Sequence, residues 1–338
     1  MEANQLNMSE LKVICFGEAL IDKICNQTKD NCKNYLGGAP ANVTCALSKL
    51  NVSSVFIGSV GNDAYGEQFM ELFKKLKVDI NFFQFNNQSS TRVVNVLINN
   101  RGERSFEGFE NKGQNAFADE LLDVNEIKKN ILYLNKIFSE AKYIVTGTNI
   151  LSATKSADSA FFLLDYAKRR KVKVVIDLNW RNVFWDNSIE MRDLSRKEQL
   201  KKIKKFLIYA NLLKLAKEEA CLFFDNTDPI KISDSLPNKP DVVITDGGNP
   251  IKWYIAGIKG QFANFSSDKI IDTTGAGDSF LSGLISQLLD IKQDQMFNKA
   301  LIDKCIKFAS VCGFLTCLEE GAIEPQPNFK EVCQFLES

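Results

Sequence analysis

The segment Asp272-Thr273-Thr274-Gly275-Ala276-Gly277-Asp278 runs straight into Phe280, Leu281, Leu284, Ile285, Leu288 and Leu289, an apolar stripe at helical spacing that starts at the motif. Small residues and glycines ahead of a helix let bare backbone N–H groups converge on an anion, and the helix N-terminus adds partial positive charge. Asp278 sits at that same end. Transfer of a phosphoryl group to an alcohol needs this pairing, with N–H donors steadying the moving phosphate and a carboxylate accepting the hydroxyl proton. Taken alone, the segment reads equally well as a turn with Asp278 as a helix cap. No Gly-Lys dipeptide occurs in the chain, so the turn is not a Walker A loop, and Phe280 stands where a dinucleotide fingerprint needs its third glycine.

Upstream, Val13-Ile14-Cys15-Phe16-Gly17 reads as a first buried strand. Gly37-Gly38 breaks the chain, Pro40 suits a first helical turn, and Val43, Ala46, Leu47 and Leu50 then follow helical spacing. Residues 54–59 form another strand, and after Gly61-Asn62-Asp63 the residues Tyr65, Phe69, Leu72, Phe73 and Leu76 share one helix face. Strands at residues 143–147, 172–177 and 241–246 alternate with helices at about 154–170 and 196–209. This alternation predicts a mostly parallel sheet covered on both faces, with ligands beyond the carboxyl ends of its strands. Residues 93–98 and 105–109, around the turn Asn99-Asn100-Arg101-Gly102, read as a hairpin. With residues 22–36 it is expected to build a small β unit apart from the main sheet.

Composition narrows the chemistry. Of 338 residues, 42 are Lys or Arg and 42 are Asp or Glu, so the net charge is zero and the basic excess of a nucleic-acid partner is missing. There is no histidine, which removes Ser-His-Asp triads, Cys-His pairs and imidazole zinc sites. A general base must be a carboxylate, Lys, Tyr or Cys. The nine cysteines are odd in number and include no Cys-x-x-Cys, so they read as reduced, buried small hydrophobes without a disulfide framework. Residues 1–10 are polar and residues 308–318 are too short an apolar run to cross a bilayer. The expectation is a cytoplasmic protein with no membrane partner.

Gly275-Ala276-Gly277-Asp278 resembles the C-terminal signature of the ribokinase-like (PfkB) carbohydrate kinases, and Gly37-Gly38-Ala39-Pro40-Ala41-Asn42 resembles their N-terminal signature in its fructokinase form. The two stand in the family's order and separation, with similarity from about residue 13 to 325. The resemblance implies a three-layer α/β/α sandwich over residues 11–338, with a small β-sheet lid from about 19–36 and 92–110. It implies Asp278 as catalytic base and Gly275, Ala276 and Gly277 as the anion hole. In Gly17-Glu18-Ala19-Leu20-Ile21-Asp22, Asp22 matches the aspartate that binds sugar hydroxyls, though an Asp after a strand is ordinarily a solvated turn residue. Gly37, Gly38 and Asn42 match the rest of the sugar surface. Arg181, in Asp177-Leu178-Asn179-Trp180-Arg181, is a candidate bidentate partner for a phosphate or substrate oxygen or else a surface arginine. Thr245, Gly247 and Gly248 match the strand end that meets the nucleotide.

There are departures from the pattern. The family's Asn-x-x-Glu element aligns with Ala216-Lys217-Glu218-Glu219, so Glu219 is retained as a candidate for orienting magnesium-bound water while Ala216 cannot replace a polar first position. After the lid segment, Glu110-Asn111-Lys112-Gly113 lacks the basic residue that many fructokinases carry there. The resemblance implies ATP and Mg²⁺, a monovalent cation such as K⁺ beside the anion hole, a sugar substrate and a homodimer formed through the lid. Fructose is the first expectation; another ketose, 2-keto-3-deoxygluconate, a nucleoside, or a silent member acting as a binding or structural subunit are the alternatives.

Overall fold

The computed structural model describes residues 12–26, 28, 31–98, 104–110, 116–187, 196–291 and 296–338. Residues 1–10, the expected turn at 99–102 and residues 111–113 lie outside these. In chain order the strands are β1 (Val13–Phe16), β2 (Leu20–Asn26), β3 (Cys32–Gly37), β4 (Ser54–Gly61), β5 (Asp79–Asn86), β6 (Val93–Ile98) and β7 (Arg104–Phe109). They continue with β8 (Tyr143–Gly147), β9 (Lys173–Asp177), β10 (Leu212–Ala216), β11 (Asp241–Asp246), β12 (Asn249–Ile255) and β13 (Ile258–Phe262). A nine-stranded sheet runs β13-β12-β11-β10-β9-β8-β1-β4-β5, and a second sheet runs β3-β2-β6-β7. In the large sheet β12 alone runs against its neighbours, and the other pairings are parallel.

Side-chain alternation sorts the core into two layers. Ile14, Phe16, Ile57, Ile144, Ile176, Leu213 and Ile244 pack on one face, and Val13, Cys15, Phe56, Val145, Val175, Leu212 and Val243 on the other. Strands apolar on both faces can only be buried on both, which is why short runs such as Val13–Phe16 sit at the centre. The helix predicted at about residues 154–170 is found at Thr154–Arg170, and the one expected near 196–209 at Arg196–Leu207. The small β unit exists as expected, with β2 antiparallel to β3, parallel to β6, and β6 antiparallel to β7.

One expectation is overturned. Cys25 and Cys32 form a disulfide. The β2–β3 register places them directly opposite, with Cα atoms 4.2 Å apart, a distance that pairing across a hairpin supplies and sequence spacing does not reveal. Cys15, Cys45, Cys305, Cys312 and Cys317 stand outside any disulfide and are buried as expected, whereas Cys221 is exposed. No helix among the described residues is long and apolar enough to cross a membrane.

The chain passes from β5 to the small sheet through Arg92, which is buried. Its guanidinium lies 3.0 Å from Asp119 and 2.9 Å from Glu120, with the rings of Phe109, Phe117 and Phe184 at 4.6, 4.5 and 4.8 Å. Removing one side of such a cluster leaves buried charge without compensation. Arg92→Ala is therefore expected to lower stability by about 3–5 kcal/mol in urea unfolding; a loss under about 1 kcal/mol would mean that the cluster contributes little.

Candidate active site

Four neighbouring strands of the large sheet end on one cavity. Glu18 follows β1, Asn149 follows β8, Asp177 closes β9 and Lys214 lies inside β10. These side chains line a cavity of about 680 Å³ together with Asp22, Asn42, Arg181 and Asp278. Parallel strands deliver their carboxyl ends to the same rim, and the loops that follow are free to carry polar groups there. Among the described residues, Glu18 Oε2, Asn42 Oδ1, Asn149 Oδ1 and Asp177 Oδ1 are buried acceptors with no hydrogen-bond partner. Four such oxygens on one cavity wall call for a ligand rich in donors.

Asp22 is a buried residue within β2 and not a solvated turn residue. Gly37, which pairs with Leu20 two positions along, lies beside it; a Cβ there would fall 2.4 Å from Asp22 Oδ2, so its bare backbone makes room for the carboxylate. Gly38 is the N-cap of the Ala39–Lys49 helix and lines the cavity. That helix carries Asn42, whose Nδ2 donates to Asp278 Oδ2 at 2.8 Å. The two motifs, far apart in sequence, meet at this bond.

Asp278 lies in the first turn of the Ala276–Asp290 helix, whose N-cap Gly275 has no side-chain cap bond. The helix-cap reading of Asp278 is thus corrected: its carboxylate turns to Asn42 and the cavity. Gly275 adopts φ +70°, and a Cβ there would strike Ala322 O at 2.6 Å, so the turn requires glycine. Asp272 pins the front of the turn, accepting from Thr274 N and Oγ1 and from Gly321 N. The amides of Gly277 and Asp278, in the first turn of a helix, have no carbonyl one turn back to bond, and Ala276 N makes only a long bond to Thr273 O at 3.4 Å. Burial, reinforced by the nearby Asp177 charge, raises the Asp278 carboxyl to about 7 against the pull of Lys214, Asn42 and Arg181. Burial likewise lifts Glu18 to about 7, opposed by its own backbone and Asn149.

A second cavity of about 230 Å³ adjoins the first, sharing Thr273 and Gly277 with it. Thr245, Gly247, Gly248 and Ala276 line it beside the apolar Phe265 and Phe314. A polar site and a smaller, more apolar slot thus open on either side of one glycine turn, a layout suited to a sugar and the base of a nucleotide. Arg181 stacks over Phe106 of β7 at 5.4 Å, holding it against the small sheet.

Glu219 lines neither cavity. Its Oε1 accepts from Trp180 N and its Oε2 from Ala216 N, both at 2.8 Å, so it is a buried residue that caps its own helix and ties down the loop after β9. Among the described residues no three acidic, His or Cys side chains cluster as a metal cage. A magnesium ion that arrives on nucleotide phosphates keeps several waters and needs few protein ligands, and no further role is assigned to Glu219. Sequence reading missed Glu18, Asn149 and Lys214 and left Asp177 unassigned; the available signal was a polar residue at or just past each buried strand.

The profile described as pfkB family carbohydrate kinase matches residues 10–328. Probable fructokinase-7 of Arabidopsis thaliana is 31% identical, covering 98% of this chain and 94% of its own length. Among solved structures, a fructokinase double mutant from Vibrio cholerae with bound fructose, ADP and potassium ion superposes with TM-score 0.80 at 25% identity, covering 97% of this chain and 99% of that one. An ATP-bound fructokinase from Xylella fastidiosa gives 0.77 at 24%, covering 96% and 98%.

Because the folded protein raises the Asp278 carboxyl from 3.8 to about 7, the stability it contributes is complete below about pH 3.8 and lost as pH rises through 7. Asp278→Asn should accordingly raise Tm relative to wild type at pH 8, with the gap closing towards pH 4. An equal or lower Tm at pH 8 would place the carboxylate in a more favourable setting than this cavity.

Proposed function

The chain belongs to the pfkB family of carbohydrate kinases, and we propose that within it this enzyme transfers the γ-phosphoryl group of ATP to a primary hydroxyl of fructose, giving fructose 6-phosphate. The observation that carries the reading is the Asn42–Asp278 hydrogen bond, which brings both signature segments to one cavity floor. In the proposed reaction Asp278 takes the hydroxyl proton as the sugar oxygen attacks phosphorus, and the amides of Gly275, Ala276 and Gly277 face the phosphate oxygens. Asp22 holds sugar hydroxyls, and Arg181 meets substrate or phosphate oxygen as a paired donor. The small sheet over the cavity excludes water that would otherwise take the phosphoryl group. Thr245, Gly247 and Gly248 receive the nucleotide. When bound with ATP, Mg²⁺ neutralises phosphate charge; a monovalent cation beside the turn completes the proposal on the strength of the resemblance.

Electrostatics support a neutral sugar over an acidic one. The larger cavity carries five carboxylates, Glu18, Asp22, Asp177, Glu218 and Asp278, against two cations, Arg181 and Lys214. A sugar acid would bring another negative charge to a wall that already holds an excess of them, while hydroxyl donors satisfy its orphaned acceptors.

A panel of sugars with ATP and Mg²⁺, read as ADP release, should show fructose turned over in preference to 2-keto-3-deoxygluconate and nucleosides; turnover of none would favour the silent-member reading. Asp278→Asn should retain ATP binding and lose most of kcat, and a variant within about tenfold of wild type, roughly 1.4 kcal/mol, would remove Asp278 from the role of base. Since a base must be deprotonated, kcat/KM should fall on the acid side of about pH 7 and level off above it. Glu18→Gln should leave that acid limb in place, which assigns it to Asp278.

A further inference from the structure

Lys214 and Asp177 are register partners on the parallel strands β10 and β9. Side chains directly opposite on neighbouring strands point to the same face, and here they form an ion pair at 2.7 Å with both members nearly buried. Lys214 Nζ lies 2.8 Å from the point a Cβ on Gly277 would occupy, so the ammonium rests against the glycine turn itself. This gives Gly277 a specific reason to be glycine: any side chain would displace the charge behind it. Burial alone would lower the Lys214 ammonium, but Asp177, with Asp278 behind it, outweighs that and holds it protonated. An ammonium has three donors, and Asp177 Oδ2 takes one.

We propose that Lys214 is a catalytic residue that contacts the transferring phosphoryl group and sets positive charge against it, with Asp177 as the positioning residue that aims the ammonium at the turn. The inference rests on the kinase reading above. In the step, the sugar oxygen forms a new bond to the γ-phosphorus as the bond from that phosphorus to the bridging oxygen of ATP breaks. ADP leaves with that electron pair, the hydroxyl proton passes to Asp278, and Lys214 keeps its own protons throughout. The placement suits a chain in which Ala216 offers no polar side-chain atom and Glu219 is occupied by backbone amides.

The test compares wild type, Lys214→Met and the charge-balanced Asp177→Asn/Lys214→Met pair. The readouts are kcat with ATP and fructose, and calorimetric affinity for ADP with and without aluminium fluoride in the presence of sugar. The expected result is a loss of about 100-fold or more in kcat, the size seen when one transition-state donor is removed. ADP affinity should hold, while the tightening caused by aluminium fluoride disappears. A paired variant within about tenfold of wild-type kcat overturns the inference, as does a parallel fall in affinity for ADP and for the aluminium fluoride complex. On the unaltered protein, the ¹⁵Nζ resonance of Lys214 should shift on adding ADP with aluminium fluoride and sugar but not with ADP alone; no shift overturns the inference even if the variants do not fold. Absence of turnover by wild type would instead sink the kinase reading.

Discussion

The site depends on one hydrogen bond, from the amide of Asn42 to the carboxylate of Asp278, spanning 236 positions of chain. It forms because two helices present their N-terminal turns to the same end of one sheet, each turn opened by glycine. A carboxylate with no partner there would be costly, since burial and the charge of Asp177 both oppose its ionisation. Asn42 offsets part of this and fixes which oxygen faces the cavity. The sheet thus acts as a ruler: its register sets the distance between the helices, and that distance sets the bond.

Much of this is legible in the sequence, for physical reasons. Strands apolar on both faces, such as Val13–Phe16, and a stripe such as Phe280 to Leu289, carry their periodicity in plain sight. The glycine turn advertises itself because bulk is forbidden there. What escaped was whatever depends on register between distant segments. The Cys25–Cys32 bond, the Lys214–Asp177 pair and the Glu18–Asn149 contact each join residues whose spacing says nothing until strands are laid side by side. The strands β10, β12 and β13 escaped for a different reason: they carry Lys214, Lys252 and Lys259 inside them, and charge inside a short run hides a strand.

Glu219 shows how one residue type serves two readings. A retained carboxylate in a known element invites a ligand role, and here each oxygen accepts from a main-chain amide, one holding the Trp180 loop and the other starting a helix. By tying that loop it sets the position of the neighbouring Arg181, which leans on Phe106 of the small sheet. Those two bonds make it part of the framework on which the site is built.

The anchoring of Arg92 bears on how the small sheet is held. With its guanidinium clamped between two acids and three rings, the root of β6 is nailed to the body of the protein. Pairing of Ile21–Asn26 with Val93–Ile98 makes β2 share that fixed root. The four strands therefore share one clamped root, and a second tether holds β3, where Lys33 and Tyr35 both donate to Glu320 of the main body.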